Sequence, residues 1–218
     1  MTTMLRKEKK CAVCGSENNY IQLGSSNSFG PCDLDLRPPE MMRSTMHTWI
    51  EECPFCGYVM GNISSFPENV SEKSVLEKFV YSKAYQTAEG IHFRSELAER
   101  FYKRYILERE FGEISRSFDS LLRAAWACDD AGDKENAVHC RKEALKFLDI
   151  MISKDETNEN LILQKADILR RSGMFEEVIK QYGDKKFSGE LLKNIASFQV
   201  EKSKLKDDKC YTVRDVKK

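Results

Sequence analysis

Four cysteines in two matching pairs, Cys11-Ala-Val-Cys14-Gly15 and Cys53-Pro-Phe-Cys56-Gly57, carry the most visible chemistry of this chain. Two thiolates spaced in this way converge on one ion, and two such pairs complete a tetrahedral four-sulfur shell. That shell suits zinc, or iron held in the same manner. Glycine directly after each second cysteine fits a tight turn, because it enters positive φ without steric cost. A catalytic zinc keeps one position open for water, and four thiolates leave none. The role expected for Cys11, Cys14, Cys53 and Cys56 is therefore structural. In a module too small to build its own core, such binding supplies about 10–16 kcal/mol of folding free energy.

Between Cys14 and Cys53 lie 38 residues, more than the roughly 15 to 20 of compact four-cysteine motifs. The loop is an insertion with content of its own, and closing it costs little more than closing a shorter one. It contains Cys32-Asp-Leu-Asp-Leu-Arg-Pro-Pro-Glu40, then Met41, Met42, Arg43 and His47. Cys32 and His47 are alternative ligands, though each reads first as a loop residue. Asp33, Asp35 and Glu40 offer carboxylates for metal-dependent hydrolysis. Beside prolines, however, acidic residues more often form turns and ion pairs.

Iron is the competing metal. The order Cys-x-x-Cys-Gly, then Cys-Pro-x-Cys-Gly, is similar to the site of rubredoxin-type electron carriers, and Tyr20, Phe29 and Trp49 are candidates to shield such an ion. The charged Asp33–Arg43 stretch and the lack of a redox-partner motif favour zinc. Two separate redox dithiols would call for a βαβ pattern, which neither pair has.

The elements that must position these groups fall into two halves. Four of the five prolines (Pro31, Pro38, Pro39, Pro54) precede residue 63, and this half reads as short strands and turns. Residues 19–23 and 48–51 are the candidate strands leading from or into the cysteine pairs. Beyond Pro67 no proline occurs and apolar residues recur at spacings of three and four. Val75, Leu76, Phe79 and Val80 mark one helix; Leu97, Phe101, Tyr105 and Ile106 a second; Phe118, Leu121, Leu122, Ala125 and Trp126 a third. Ala137, Ala144, Leu145 and Leu148 follow, then Leu161, Ile162 and Leu169, then Val178 and Ile179. Leu191, Leu192, Ile195 and Phe198 mark the last. Residues 201–218 are charged and nearly free of apolar side chains, and read as a frayed tail.

Ala125, Gly132-Asp133, Ala137 and Ala144 fall where tetratricopeptide repeats place small residues, which let paired helices approach closely. A weaker echo, Ala166 and Gly173-Met-Phe175, lies further along, its register displaced by a loop at 153–160. The alternative is an ordinary helical bundle with alanine at its crossings. The fold class expected is mainly α: a zinc-ribbon-like β module over 1–63 with a long inserted loop, then a tetratricopeptide-like helical domain over 64–200.

The 35 basic and 35 acidic residues balance. Within residues 1–62, Arg6, Lys7, Lys9, Lys10, Arg37 and Arg43 face seven acidic residues, so a phosphate-binding surplus is missing and nucleic acid is not indicated. No apolar run reaches the roughly 18 residues of a membrane span, and the charged start lacks the apolar stretch of a signal peptide. A reducing cytoplasm is the expected compartment. There, grouped cysteines point to metal, while Cys32, Cys128, Cys140 and Cys210 read as small apolar side chains. Phosphate-cradling glycine loops, nucleophile elbows and His-Glu-x-x-His are all missing, and His47, His92 and His139 are scattered.

In the order of its features the chain resembles the prokaryotic domain-of-unknown-function family 2225. The residues that carry the resemblance are Cys11, Cys14, Cys53, Pro54, Cys56, Gly57 and Tyr58, with a looser helical match to about Tyr182. The resemblance implies a metal site and tetratricopeptide-like helices, and it implies no activity. The function expected is a non-catalytic zinc protein that takes a protein or peptide partner on its helical domain. The alternatives are a metal-dependent hydrolase using residues 32–47, an iron electron carrier and a nucleic-acid-binding zinc ribbon.

Overall fold

A computed structural model describes residues 2–216. Two small β-hairpins come first. Strands β1 (Thr3–Lys10) and β2 (Glu17–Ser25) pair antiparallel, with Lys10 opposite Glu17 and Lys7 opposite Tyr20. Strands β3 (Glu51–Glu52) and β4 (Val59–Met60) form the second pair. β2 contains the expected 19–23 strand. The charged start, where no strand is expected from the sequence, is β1. It lacks an apolar alternation because nearly all of it is exposed, and pairing with β2 alone defines it. The expected 48–51 strand is a correction in part: Arg43–Thr48 is a 3-10 helix, and only Glu51 of that span joins β3. The indole N–H of Trp49 reaches back to Thr45 Oγ1 at 2.9 Å, which suits a helical turn and not an extended chain.

The rest is helical: α1 (Lys73–Val80), α2 (Lys83–Gln86), α3 (Glu96–Glu110), α4 (Ile114–Asp130), α5 (Lys134–Lys154), α6 (Glu159–Arg171), α7 (Phe175–Tyr182) and α8 (Glu190–Lys204). The mainly α class with a small β module is what the structure has. Every helix expected from the apolar spacing is present, and α2 is additional. Val75 and Leu191, part of that spacing, lie on exposed faces. The α5–α6 connection is shorter than the expected 153–160 loop.

Three of the helix-to-helix turns are built alike. Gly112, Gly132 and Gly173 take φ of 74°, 68° and 75° after α3, α4 and α6. The next residue's N–H then bonds back to the carbonyl five residues earlier, as in Glu113 to Glu108 (2.8 Å), Asp133 to Cys128 (2.8 Å) and Met174 to Leu169 (2.9 Å). This is the Schellman cap, which satisfies carbonyls orphaned at a helix end and turns the chain abruptly. Successive helices therefore fold back and pack on their neighbours, burying Ala125, Ala137, Ala144 and Ala166. One continuous apolar cluster runs from Val13, Ile50, Tyr58 and Ile63 of the β module through Leu121 and Leu148 to Val200.

The tail departs most from expectation. α8 extends to Lys204, and the chain then returns to the N-terminal loop, where Asp33 and Thr212 form an antiparallel bridge. Leu34 N–H bonds Tyr211 O at 2.9 Å, and Val213 N–H bonds Cys32 O at 3.2 Å. Buried Arg170 holds the tail from beneath, donating to the carbonyls of Asp207 (2.7 Å) and Lys209 (2.8 Å). Tyr211 packs edge-on against Phe198. The segment is ordered by backbone bonds and one arginine, contacts that a composition poor in apolar residues does not reveal. Lys217 and Lys218 lie outside the described residues.

Candidate metal centre

Each cysteine pair occupies the turn of one hairpin. In the β1–β2 turn, Gly15 N–H bonds Cys11 O at 3.0 Å and Gly15 has φ of 75°; in the β3–β4 turn, Gly57 N–H bonds Cys53 O at 2.9 Å and Gly57 has φ of 71°. These are the positive-φ positions expected of the two glycines. The module is tied together by Ala12 N–H to Ile63 O (3.0 Å) and by Glu51, whose carboxylate accepts from Lys9 Nζ (2.6 Å) and Ile63 N–H (2.9 Å).

The two turns bring all four sulfurs within 4.8 Å of one another, with Cys11 and Cys56 Sγ 3.7 Å apart and Cys14 and Cys53 Sγ 3.6 Å apart. Four sulfurs each about 2.3 Å from one ion form a tetrahedron with edges of about 3.8 Å. The donor set fits a metal ion. Cys11, Cys53 and Cys56 are buried, and Cys14 is half-buried.

The electrostatics agree with that fit. Burial, above all, pushes the Cys56 thiol well up, and the neighbouring Cys11 adds to it. Cys11 is also raised by burial, against bonds from the Cys14 and Val13 amides. Burial pushes Cys14 up too, but the hydroxyl and amide of Ser16 outweigh it and bring the thiol to about 6. Four crowded sulfurs cannot all ionise against one another, and a bound cation reverses that logic by holding every one as thiolate.

Ser16 is a functional residue that sequence reasoning missed. Its hydroxyl lies 3.0 Å from Cys14 Sγ and 3.3 Å from Cys53 Sγ, bridging the two pairs. Gln86 is another. Its amide donates to Cys56 O at 2.8 Å and to Val80 O at 2.7 Å, fastening the second turn to the helices. Tyr85 Oη does the same from α2, accepting Val59 N–H at 2.9 Å. A serine next to a Cys-x-x-Cys-Gly signals the first; nothing local signals the others.

Cys32 and His47, the alternative ligands, are not part of the four-sulfur group. Of the proposed shielding aromatics, Tyr20 is buried, and its hydroxyl is pushed up by burial and by the charges of Cys53 and Cys11. Phe29 is 63% exposed and shields nothing. Trp49 faces Arg123, whose guanidinium lies 5.6 Å from its ring. His47 and His92 are exposed, and His139 rests near the Tyr102 hydroxyl at 3.4 Å.

The loop between the pairs is engaged elsewhere. Asp35 is fully buried and its Oδ2 accepts from Trp126 Nε1 and from Arg171 Nη1, both at 2.8 Å. Its Oδ1 accepts from Arg37 N–H at 3.2 Å, and its carbonyl accepts from Gln164 Nε2 at 2.9 Å. Leu36, with φ of 69°, makes the tight turn that presents Asp35 to α4 and α6. Arg37 is bidentate to Asp130 (2.9 and 2.5 Å) and lies 5.9 Å from the Trp126 ring. Asp33 pairs with Arg43 at 2.7 Å and accepts from the Cys210 thiol at 3.2 Å. Glu40 is exposed and accepts from Ser44. The loop carboxylates are thus not assembled into one cluster: Asp33 and Asp35 are consumed by arginines, and the loop is an ionic plug on the helical domain.

Among the described residues no helix is long and apolar enough to cross a membrane. Comparison with protein-family models, with curated proteins and with solved structures returned no match.

Proposed function

We propose that the chain is a non-catalytic zinc protein that works as a scaffold, its metal centre fixing the β module against helices that receive a protein or peptide partner. The observation that carries this reading is the closed set of four sulfurs. Such a shell leaves no position for a water nucleophile. Asp33 and Asp35, two of the three loop carboxylates that a hydrolase would use, are engaged in ion pairs, which argues against that alternative. Zinc is favoured over iron because the expected aromatic shield is incomplete on the Phe29 side. The glycine-capped, alanine-lined helices support the tetratricopeptide-like reading and, with the cysteine motifs, the resemblance to family 2225. Helical pairs of this kind offer extended faces to partners. Phe55 at the tip of the second turn (71% exposed) and Tyr81 (57% exposed) border a cavity of about 490 Å³ with Arg100 and Lys103, a surface suited to such contact.

The test is affinity capture from cells that express the chain, comparing it with a Phe55→Ser/Tyr81→Ser variant. A partner held in stoichiometric amount by the parent chain and lost by the variant is expected. No stoichiometric partner, together with metal-dependent turnover of a hydrolytic substrate panel, would refute the scaffold reading.

A further inference from the structure

β1 is an edge strand, and among the described residues no further strand pairs with its outer side. An antiparallel pair uses the backbone groups of every second residue, and the residues between turn theirs away. Two bonds fix which are which. Cys11 N–H reaches Ser16 O across the hairpin at 2.8 Å, whereas Lys10 O accepts instead from Ser64 Oγ at 2.8 Å. Met4, Arg6 and Glu8 share the phase of Lys10, so their N–H and C=O groups point off the free edge. Among the described residues none of these groups bonds to another segment.

The side chains along that edge are equally unmatched. β1 carries Arg6, Lys7, Lys9 and Lys10 against Glu8 alone. Glu51 neutralises Lys9 at 2.6 Å, but Arg6, Lys7 and Lys10 are exposed and form no ion pair among the described residues. Glu17, opposite Lys10 on β2, makes none with it. Toward the open end of the hairpin, Met4 and Leu5 are exposed as well. The edge therefore has an apolar end and a basic end. A bare, regular edge is a template for strand addition. Like charges set against one another disfavour a second copy of β1 as the occupant. An acidic strand would meet charges that nothing in the chain offsets.

We propose that β1 binds an extended, acidic segment of a partner protein as a third strand of its sheet. Main-chain bonds to Met4, Arg6 and Glu8 would hold the extended backbone, and Arg6, Lys7 and Lys10 would select carboxylates. Apolar residues at the segment's other end would cover Met4 and Leu5. A third strand also suits a two-stranded hairpin, which is weakly stable alone. This surface is separate from the Phe55–Tyr81 cavity, none of whose lining residues belongs to β1 or β2, so either can fail without the other.

Two blocked, fluorescein-labelled peptides test this by anisotropy on the metal-loaded chain at fixed salt. Glu-Glu-Thr-Glu-Val-Thr-Val matches antiparallel addition, and its reverse matches parallel addition. Saturable binding of one is expected, with amide exchange slowed at Met4, Arg6 and Glu8. Arg6→Ala/Lys7→Ala removes exposed charge and should raise Kd about fivefold. Glu8 separates strand pairing from simple charge attraction. Glu8→Ala removes the one repelling carboxylate and should bind at least as tightly as the parent. Glu8→Pro removes the same carboxylate together with an outward N–H, where an edge strand tolerates proline, and should raise Kd about tenfold. Retained metal in both Glu8 variants shows that the module is folded. Saturation by neither peptide, unslowed edge amides in the parent complex, equal Kd for the two Glu8 variants, or tighter binding of a single-stranded oligothymidylate overturns the proposal.

Discussion

Replacing Asp35 by Asn should release the inserted loop from the helical domain while leaving the metal centre filled. Asn preserves size but removes the charge that Arg171 and the Trp126 N–H share. If its oxygen faces those two donors, its amide meets the Arg37 N–H, and one buried donor goes unmade. Removing one partner of a buried ion pair costs about 3–5 kcal/mol. Arg171 retains Asp129, at 2.6 Å, so the lower end applies, about 3 kcal/mol. For a chain of this size that corresponds to a Tm lower by about 6–12 °C. Thermal and urea unfolding followed by tryptophan fluorescence reports it well, because Trp126 binds Asp35 directly and Trp49 lies in the loop. Glu40→Gln, which touches only Ser44 at the surface, is the control and should shift Tm by less than about 2 °C. An Asp35→Asn shift no larger than that control, or a loss of metal from the variant, would refute the plug.

Further outcomes follow from the same geometry. Gly15 and Gly57 share a φ near 70°, so Ala at either costs about 1–2 kcal/mol. At Gly57 the new Cβ would also meet the Gln86 side chain at 2.9 Å, whereas at Gly15 the nearest atom is the Lys10 stem at 3.6 Å. Gly57→Ala should therefore lower Tm clearly more than Gly15→Ala, and equal shifts would contradict the role given to Gln86. Ser16→Ala should weaken metal binding about tenfold in competition with a chromophoric chelator while barely moving Tm; unchanged affinity would show that the hydroxyl does not support the sulfurs.

Acid should open the ionic plug. Burial pushes the Asp129 carboxyl up, but the Arg141 hydrogen bond and the charges of Arg141, Arg171 and Arg37 outweigh it and hold it below the usual carboxylate range. A depressed folded pKa gives stability that is complete above the unfolded value, about 3.9, and lost as pH falls through the folded one. The Tm of the chain should thus fall below about pH 4, and Asp129→Asn should flatten that part of the profile. A variant profile that falls as steeply as the parent's would remove Asp129 from the account.

Legibility in the sequence tracks the range of the interaction. The metal turns are local: cysteine spacing and the following glycine state their own geometry, and the helices announce themselves through apolar spacing. β1 was missed because its side chains face water on both sides, leaving only backbone pairing to define it. The Asp-Leu-Asp-Leu-Arg string could not be read because its partners, Trp126 and Arg171, lie 91 and 136 residues from Asp35. The tail failed for the same reason, since Arg170 and the Asp33 bridge order it from a distance.

X-ray absorption at the metal edge of the purified chain tests the central claim most directly. The account predicts zinc at about one ion per chain, with four sulfurs at about 2.3 Å and no nitrogen or oxygen in the shell. Iron at that edge, or a light-atom ligand replacing one sulfur, would contradict it.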